Sequence, residues 1–596
     1  MYILGISCFF HDAAAALLKD GVLMAAAEEE RFSRKKHDYD FPAQAIQYVL
    51  DSEGIASADL DHVVFFEKPF AKFERILLSS LQTFPRAMPV FREAMVTWLL
   101  DKLWVSALIT ERLGVARDTI LFSEHHLSHA ASAYFCSPFE DAAILTVDGV
   151  GEWATATMGS ARGTEIRLSR EIRFPHSLGL LYSTFTAFLG FEVNEGEYKV
   201  MGMAPYGVPR YAEEVRRLAK MASDGSFRLN MEYFAFHRST RVPWSRKFLD
   251  LFGAPRPTTD QFFTESSGYP AYFGPKPVDY VEQARRNQHY ADVAASVQAV
   301  TEEILLNMAR ALRKQVDTPR LCLAGGVALN SVANWKILRQ SGFEELYVQP
   351  AAGDAGGAVG AALYAYHTLL GKPRTFTMEH AFWGQAYSEA SVREFLDAEG
   401  LPYERMDEDR VLDRTVEALV DGQVIGWFQD RFEWGPRALG HRSILADPRR
   451  ADMKDIVNTK IKFREPYRPF APSILNERVH EYFDAPGVDR QYPARFMLLV
   501  VDVKPSKQGV IPAVTHVDGT GRLQTVVRDG NSMYHDLIKR FDEATGVPVV
   551  LNTSFNLRGE PIVTTPRQAF STFTRSEMDM LVLGNCIVKK PGGTYG

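Results

Sequence analysis

The segment YILGISCFFHDAAAALLKDGVLMAAA, residues 2–27, decides the fold class, because it reads as three strands in succession. Residues 2–7 are apolar and rich in sheet-forming side chains, and residues 13–18 form a second apolar run. Between this run and a third one, residues 22–27, the tripeptide Lys19-Asp20-Gly21 has the composition of a tight turn. The N-terminus is therefore predicted to begin a β-sheet.

Farther along the chain, strands alternate with helices. Apolar runs at 142–147 and 321–324 are each followed by a glycine-containing turn, which is typical of buried strands. Residues 291–315 carry apolar side chains at helical spacing. This alternation predicts an α/β protein.

The length of the chain indicates more than one domain. With 596 residues, it is several times the size of a typical domain of about 150 residues. The apolar run 358–370 ends at Gly371-Lys372-Pro373-Arg374, which breaks the helical pattern. We therefore predict one domain over 1–372, with an insertion at about 209–285, and a second domain over 373–596. The second domain has strands of its own, at 424–428, 496–503 and 547–551.

Composition excludes several classes of protein. Hydrophobic residues make up 46% of the chain and charged residues 24%, which excludes a mainly disordered protein. The 67 Lys and Arg against 74 Asp and Glu argue against a dedicated nucleic-acid binder. The four cysteines form no CxxC pair, which excludes a zinc ribbon and predicts reduced thiols. The N-terminus lacks the basic region of a signal peptide, and no apolar run is long enough to span a membrane, so a cytoplasmic protein is expected.

Four side chains are predicted to hold a metal ion. His125 and His129 lie four residues apart in a segment predicted to be helical, so their imidazoles would face the same way. The pair His126 and His129 has helical spacing too and stays an alternative. Asp148 and Asp354 follow strand ends and could complete a mixed site, which suits iron, manganese or zinc. The competing interpretation is a histidine cluster at a helix end and two turn aspartates.

Three glycine-containing segments could bring backbone close to a nucleotide. They are Asp148–Gly151, the stretch from Gly325 and Gly326 to Asn330, and Gly353–Gly357, which opens a helix. None of them is a Walker A or GxGxxG sequence, and each alone could simply be a turn. Three such segments spread along one domain resemble the split nucleotide site of the actin, Hsp70 and sugar-kinase superfamily.

The C-terminal part contains a basic island. Between Arg431 and Arg468, ten Lys or Arg stand against five Asp or Glu, a local charge of +5 in a chain of −7. Converging Arg and Lys side chains suit a triphosphate and a second anionic substrate. A solvated basic face and an RNA-binding surface are the alternatives.

Ten motifs in order along the chain together resemble the O-carbamoyltransferase family, which includes the nodulation-factor, cephamycin and tobramycin carbamoyltransferases. They are FHDAAAALLKDG (10–21), AAAEEERFSRKKHD (25–38), HHLSHAASAYF (125–135), VDGVGEWAT (147–155), GEYKVMGMAPYG (196–207), LAGGVALNSVAN (323–334), WGPRALGHRSILADPR (434–449), YRPFAPS (467–473), HVDGTGRLQTV (516–526) and LNTSFNLRGEPIV (551–563). The resemblance covers almost the whole chain and is weakest over the insertion.

The resemblance implies an N-terminal actin/Hsp70-like (ASKHA) domain and a C-terminal YrdC-like α/β domain. It also implies two reactions. The C-terminal domain would make carbamoyl-adenylate and pyrophosphate from carbamoyl phosphate and ATP, with Mg²⁺ accompanying the ATP. The N-terminal domain, with iron or another divalent metal, would then pass the carbamoyl group to a hydroxyl of a small natural-product acceptor and release AMP. No nucleic acid or membrane partner is expected, and a homodimer is left open.

The same resemblance assigns residues to roles. His125, His129, Asp148 and Asp354 match the family's metal ligands, and Gly325, Gly326, Asn330, Gly353 and Gly356 match segments around the nucleotide, with Lys199 as a further adenylate contact. Lys462 and Arg464 match the lysine-x-arginine element of the synthase domain, with Ser554 as its partner, and Arg437, Arg442, Arg468, Arg522 and Asn552 would complete a phosphate clamp. His11 or Asp12 would be the general base for the acceptor hydroxyl, with a structural turn as the alternative.

Other functions explain less of the sequence. A sugar-kinase-like phosphotransferase or a non-catalytic Hsp70-like nucleotide switch leaves the basic island and the C-terminal domain without a role. A hydrogenase-maturation carbamoyltransferase would need cysteine-rich zinc fingers and an acylphosphatase domain, which this sequence lacks. A tRNA-modifying role fits poorly with the acidic chain. An O-carbamoyltransferase is therefore the predicted function.

Overall fold

The chain forms two compact units. The computed structural model describes residues 1–84, 87, 88, 91, 92, 95, 96, 98, 102–239, 241–270, 273–462, 464, 465, 467–588 and 590. We call Met1–Glu29, His37–Phe262 and Val281–Met378 the N-terminal unit, and Glu30–Lys36, Phe263–Tyr280 and Glu379–Gly596 the C-terminal unit. Within the part of the chain described, none of the helices combines the length and apolarity that a membrane span needs.

The N-terminal unit is built on two five-stranded sheets that share one strand order. The first sheet runs β3-β2-β1-β4-β5 and the second β8-β7-β6-β11-β12. In each sheet the first three strands in sequence pair antiparallel, and the fourth and fifth add in parallel. The strands are β1 Tyr2–Ser7, β2 Ala14–Lys19, β3 Val22–Glu28, β4 His62–Phe65, β5 Ile120–Phe122, β6 Asp141–Val147, β7 Ala154–Arg162, β8 Glu165–Arg173, β11 Arg320–Ala324 and β12 Glu345–Tyr347, with a separate hairpin of β9 Ala219–Met221 and β10 Phe227–Leu229. This confirms the predicted α/β class, and the doubled strand order is that of the predicted actin/Hsp70-like fold.

Helices connect and cover these sheets. Their bounds are Ala43–Asp51, Pro69–Gln82, Val105–Leu113, His125–Tyr134, Leu178–Phe188, Glu197–Met203, Ala212–Leu218, Arg246–Phe252, Tyr280–Arg313, Ser331–Gln340 and Asp354–Tyr364. Two of them, His125–Tyr134 and Asp354–Tyr364, pack closely at Gly360, where an added Cβ would lie 1.9 Å from the carbonyl oxygen of Ser128. Only a glycine lets these two helices approach so far.

The C-terminal unit is a mixed nine-stranded sheet in the order β13-β21-β20-β14-β15-β19-β16-β18-β17. Its strands are β13 Tyr403–Arg405, β14 Ile425–Phe428, β15 Arg442–Ala446, β16 Ala471–Leu475, β17 Leu499–Asp502, β18 Thr520–Val526, β19 Val549–Ser554, β20 Met580–Leu583 and β21 Cys586–Val588. Its helices are Glu30–Ser33, Glu389–Ala398, Glu408–Val420, Met453–Val457, Val479–Tyr482, Tyr492–Arg495, Pro505–Gln508, Ser532–Thr545 and Pro566–Thr574. The likeness to YrdC stays a prediction.

One long helix differs from its predicted bounds for a physical reason. The helix predicted over 291–315 begins earlier, at Tyr280. The sequence did not predict its first turns, because they are mostly polar and carry no apolar periodicity. The insertion predicted over 209–285 contains short helices and the β9-β10 hairpin. All four cysteines are buried thiols, as predicted.

Candidate functional site

Two histidines open the helix that follows β5. His125 and His129 stand on one face of His125–Tyr134, and their side chains are almost completely buried. The first N–H of this helix donates to the Glu152 carboxylate, 3.0 Å away. The two Nε2 atoms lie 3.1 Å apart, so the helix turns both imidazoles towards one point.

Two carboxylates face these imidazoles. Asp148 comes directly after β6, and its Oδ2 lies 2.9 Å from His125 Nε2 and 3.6 Å from His129 Nε2. Asp354 begins Asp354–Tyr364, and its Oδ1 lies 3.7 Å and 3.5 Å from the same two nitrogens. The structure thus brings together the four predicted metal ligands, which we call the His₂Asp₂ cluster.

The His₂Asp₂ cluster has the dimensions of a metal site. A metal bound about 2.1 Å from each ligand would hold neighbouring ligand atoms about 3.0–3.4 Å apart, close to the separations here. Asp354 Oδ2 is buried and has no hydrogen-bond partner among the described residues. Burial by itself lowers the pKa of His125, but its contacts with Asp148 and Glu67 and the charge of Asp354 raise that pKa to about 10. Without a metal ion, a proton on His125 would balance part of the negative charge of these carboxylates. A bound cation could balance that charge instead.

His126 does not belong to this cluster. Its Nδ1 lies 2.6 Å from Thr146 Oγ1 and its Nε2 lies 2.9 Å from the carbonyl oxygen of Ala154. Both ring nitrogens are therefore used within the protein core. These contacts favour the pair His125 and His129 over the alternative pair His126 and His129.

Glycine loops border the cluster. Gly325 has φ +93°, and a Cβ on it would lie 2.3 Å from the carbonyl oxygen of Val147, so no side chain fits there. The Gly326 N–H donates to Asp148 Oδ1 over 2.9 Å. A Cβ on Gly353 would lie 3.9 Å from the Gly326 Cα, and one on Gly356 would meet the Ala351 carbonyl oxygen at 2.1 Å. Three of these four predicted glycines, Gly325, Gly326 and Gly353, thus lie together at the ends of β6 and β11.

Two other residues predicted for the nucleotide have different surroundings. Asn330 accepts a hydrogen bond from the Ala333 N–H over 3.2 Å and so caps Ser331–Gln340, while its amide also bonds Gln298. Lys199 lies in Glu197–Met203, with its Nζ 5.7 Å from the centre of the Phe191 ring. Their nucleotide contacts stay predictions.

His11 and Asp12, in the turn after β1, form a His-Asp-His group with His37. His11 Nδ1 lies 2.8 Å from Asp12 Oδ2, and His37 Nδ1 lies 2.9 Å from Asp12 Oδ1. Burial by itself raises the pKa of Asp12, but the two imidazoles hold that pKa far below its usual value. Burial lowers the pKa of His11, and the charges of Asp12, Asp354 and Asp148 outweigh it and raise that pKa to about 10. Asp12 is therefore suited to orienting the imidazoles and poorly suited to accepting a proton.

In the C-terminal unit, Lys462 is the last residue of a π-helical turn, Asn458–Lys462, and is almost completely buried. Its ammonium donates to the carbonyl oxygen of Ser554 and to the carbonyl and Oδ1 atoms of Asn556, at 3.0 and 2.9 Å. Ser554 Oγ lies 3.4 Å from the ammonium and donates to Asn556 Oδ1. The predicted partners Lys462 and Ser554 thus meet, and Asn556 joins them.

Positive charge accumulates around this lysine. Burial, and then the charges of Arg464 and Arg468, hold the pKa of Lys462 well below its usual value. Arg464 donates to Asn458 Oδ1 over 3.0 Å and lies 4.6 Å from the Phe470 ring centre. The hydrogen-bond partners of Lys462 are neutral oxygen atoms. A buried ammonium in such surroundings favours binding of an anion.

The remaining clamp residues lie on neighbouring elements. Asn552 in β19 is fully buried, and its amide donates to Ala438, Ser473 and Gln524, which ties β19 to β16 and β18. Arg522 lies in β18, and Arg437 lies in the loop between β14 and β15. Their contact with a phosphate stays a prediction.

Arg442 has the contacts of a structural residue. It is fully buried, with its guanidinium 3.6 Å from the centre of the Phe428 ring. It donates to the backbone carbonyls of Gln429, Asp430, His441 and Thr564. These contacts occupy the guanidinium and favour a role in holding the loop that precedes β15 over a role in binding phosphate.

Replacing Arg442 by methionine is expected to lower the free energy of unfolding by about 3 kcal/mol, because buried carbonyls lose their donor. Urea denaturation measures this change. Arg437→Met in the same loop is the matched control, with an expected change of less than about 1 kcal/mol. Unchanged stability of Arg442→Met, together with loss of ATP-dependent activity, would place Arg442 in the clamp instead.

Five residues that take part in the groups described above were not singled out from the sequence. They are His37, Glu67, Lys72, Glu433 and Asn556. Glu67 follows β4 as Asp148 follows β6, so the same strand-end signal could have found it. Asn556 stands two residues after Ser554 inside a motif already recognised. Glu433 carried no signal in the sequence, because its role depends on the folded loop. Its Oε1 accepts hydrogen bonds from the backbone N–H groups of Leu439, His441 and Arg442 and so fixes the shape of the loop in the basic island.

Comparisons with known proteins match both units to carbamoyltransferases. A family model described as Carbamoyltransferase N-terminus matches residues 2–363, and one described as Carbamoyltransferase C-terminus matches residues 416–590. An uncharacterised protein of Synechocystis sp. is 43% identical, with 99% of this chain and 97% of that protein covered. Nodulation protein NolNO of Sinorhizobium fredii is 39% identical, with 98% of this chain and 79% of that protein covered. The 3'-hydroxymethylcephem-O-carbamoyltransferase of Amycolatopsis lactamdurans is 33% identical over 51% of this chain and 55% of that protein.

Proposed function

The chain belongs to the carbamoyltransferase family, and from this premise we propose that it is an ATP-dependent O-carbamoyltransferase acting in two steps. It makes carbamoyl-adenylate from carbamoyl phosphate and ATP, and it transfers the carbamoyl group to a hydroxyl of a small-molecule acceptor. The name of the cephem relative specifies a hydroxymethyl group, which is the kind of acceptor proposed here.

The observation that carries this proposal is that each unit has its own cluster of functional side chains. The N-terminal unit holds the His₂Asp₂ cluster beside glycine loops. The C-terminal unit holds Lys462, a buried ammonium with neutral partners beside Arg464 and Arg468. A bound cation suits the activation of a carbonyl group, and a group of positively charged side chains suits the binding of a triphosphate. The two clusters therefore suit two different reactions.

In the first reaction, water cleaves carbamoyl phosphate to carbamate and inorganic phosphate. A carbamate oxygen then attacks the α-phosphorus of ATP, a new P–O bond forms, and the bond to the β-phosphate breaks, which releases pyrophosphate. Lys462 and Arg464 would hold the phosphate oxygens in place and stabilise the negative charge that develops on them.

In the second reaction, the acceptor hydroxyl attacks the carbamoyl carbon, and the bond to AMP breaks. His11 would accept the hydroxyl proton while Asp12 fixes the orientation of its ring. A divalent ion held by the His₂Asp₂ cluster would supply Lewis-acid activation. Asp12 contributes most to raising the pKa of His11, and the ion would offset the smaller contributions of Asp354 and Asp148. The glycine loops would leave room for the nucleotide.

Exchange of labelled pyrophosphate into ATP tests the first reaction and needs no acceptor. Wild-type protein is expected to catalyse exchange only when carbamoyl phosphate is present, because pyrophosphate is incorporated by reversal of adenylate formation. The control reaction omits carbamoyl phosphate. Absence of exchange with release of ADP would contradict the proposal and indicate a kinase-like phosphotransferase.

A further inference from the structure

A buried ion pair lies behind the His₂Asp₂ cluster. Glu67 follows β4, and Lys72 stands in the first turns of Pro69–Gln82. The two side chains are 4% and 2% exposed, and Glu67 Oε2 lies 2.5 Å from Lys72 Nζ. Two charges are rarely buried together without a role that requires them, because their desolvation is costly.

The carboxylate of this pair faces the back of a predicted metal ligand. His125 Nδ1 lies 3.6 Å from Glu67 Oε2, whereas His125 Nε2 lies 2.9 Å from Asp148 Oδ2. The imidazole therefore has a carboxylate on each side, one within the cluster and one behind it. A carboxylate behind a ligating histidine is the usual device for fixing its tautomer and ring orientation.

We propose that Glu67 is a positioning residue that keeps the His125 proton on Nδ1, so that the Nε2 lone pair faces the cluster, and that Lys72 holds Glu67 in place. This inference rests on the metal site of the proposed function. It assigns a role to a pair of buried charges that neither adenylation nor transfer uses directly.

The charges of the connected groups agree with this role. Glu67, Asp148 and Asp354 contribute three negative charges and Lys72 contributes one positive charge, which leaves −2 if both histidines are neutral. A divalent cation would balance this charge. Lys72 Nζ also lies 4.0 Å from the centre of the Phe10 ring, directly before His11 in the chain, so the same ammonium contacts the turn that carries the proposed base.

Mn²⁺ binding to metal-free protein tests the inference without any turnover. Free Mn²⁺ is followed by electron paramagnetic resonance during titration of wild type and four variants: Glu67→Gln, Glu67→Asp, Glu124→Gln and His129→Ala. Glu67→Gln is expected to weaken Mn²⁺ binding by about 10- to 100-fold, and Glu67→Asp, which keeps the charge at a greater distance, to recover part of the loss. Glu124→Gln is the matched control, because Glu124 adjoins His125 in sequence but is exposed and pairs with Lys68; its affinity is expected to equal that of wild type.

The outcomes separate this inference from the metal site itself. Wild-type affinity in Glu67→Gln would overturn the positioning role, and so would a lower melting temperature with unchanged Mn²⁺ affinity. If Glu67→Gln does not fold, Glu67→Asp decides in the same way, with wild-type affinity counting against the role. Failure of wild type to bind Mn²⁺, or equal binding by His129→Ala, would instead overturn the metal site of the proposed function.

Discussion

Replacing His129 by alanine is expected to lower carbamoyl transfer by at least about a thousandfold, because the proposed metal ion would lose a ligand and the carbonyl would lose its Lewis-acid activation. Carbamoyl phosphate-dependent exchange of pyrophosphate into ATP is expected to stay within about twofold of wild type, because the residues proposed for adenylation lie in the other unit. Transfer is measured as AMP formed with a hydroxyl acceptor that the wild-type protein carbamoylates. Metal content is measured on the same preparations.

The chain offers a control on the same helix. His126→Gln removes an imidazole that bonds Thr146 and Ala154 instead of facing the two carboxylates. This variant is expected to keep its metal and its transfer activity, with a loss of stability only. Equal loss of transfer and exchange in His129→Ala would contradict the division of the two reactions between two sites.

The opposite pattern is expected for Lys462→Met. Exchange of pyrophosphate into ATP should fall by at least about a thousandfold, because a buried ammonium that stabilises developing charge in a dry site contributes several kcal/mol to the transition state. Metal binding by the His₂Asp₂ cluster should be unchanged. The same exchange assay and the same metal titration measure both quantities.

Lys504→Met is the matched control for this variant. Lys504 is a lysine of the same unit that donates to the His480 carbonyl oxygen at a partly exposed position, away from Ser554 and Asn556. Its removal is expected to leave exchange at the wild-type rate. Exchange at the wild-type rate in Lys462→Met would remove this lysine from the adenylation site.

The sequence predicted which four side chains form the His₂Asp₂ cluster, because these residues carry local signals. His125 and His129 have helical spacing, and Asp148 comes directly after an apolar strand. Side chains at strand ends and at helix starts converge in an α/β fold, so these local signals were sufficient. The predicted strands at 2–7, 142–147 and 321–324 agree with β1, β6 and β11 to within one residue.

The sequence could not predict contacts between distant segments. Glu67 meets His125 from a different strand end, and His37 meets Asp12 through a separate loop. Nor could it distinguish a buried arginine from a substrate-binding one. The family resemblance and the local positive charge assign Arg442 to the phosphate clamp, whereas its guanidinium donates to backbone carbonyls that only the folded chain brings together.

The shared strand order of the two sheets in the N-terminal unit has an evolutionary consequence. It is the trace expected when a gene segment duplicates and the two copies fuse. His125 and His129 follow the last strand of the first copy, whereas Asp148 and Asp354 follow the first and last strands of the second. One copy therefore contributes both imidazoles and the other both carboxylates. In the present chain, neither copy alone holds all four side chains, so the His₂Asp₂ cluster forms only when both copies are folded together.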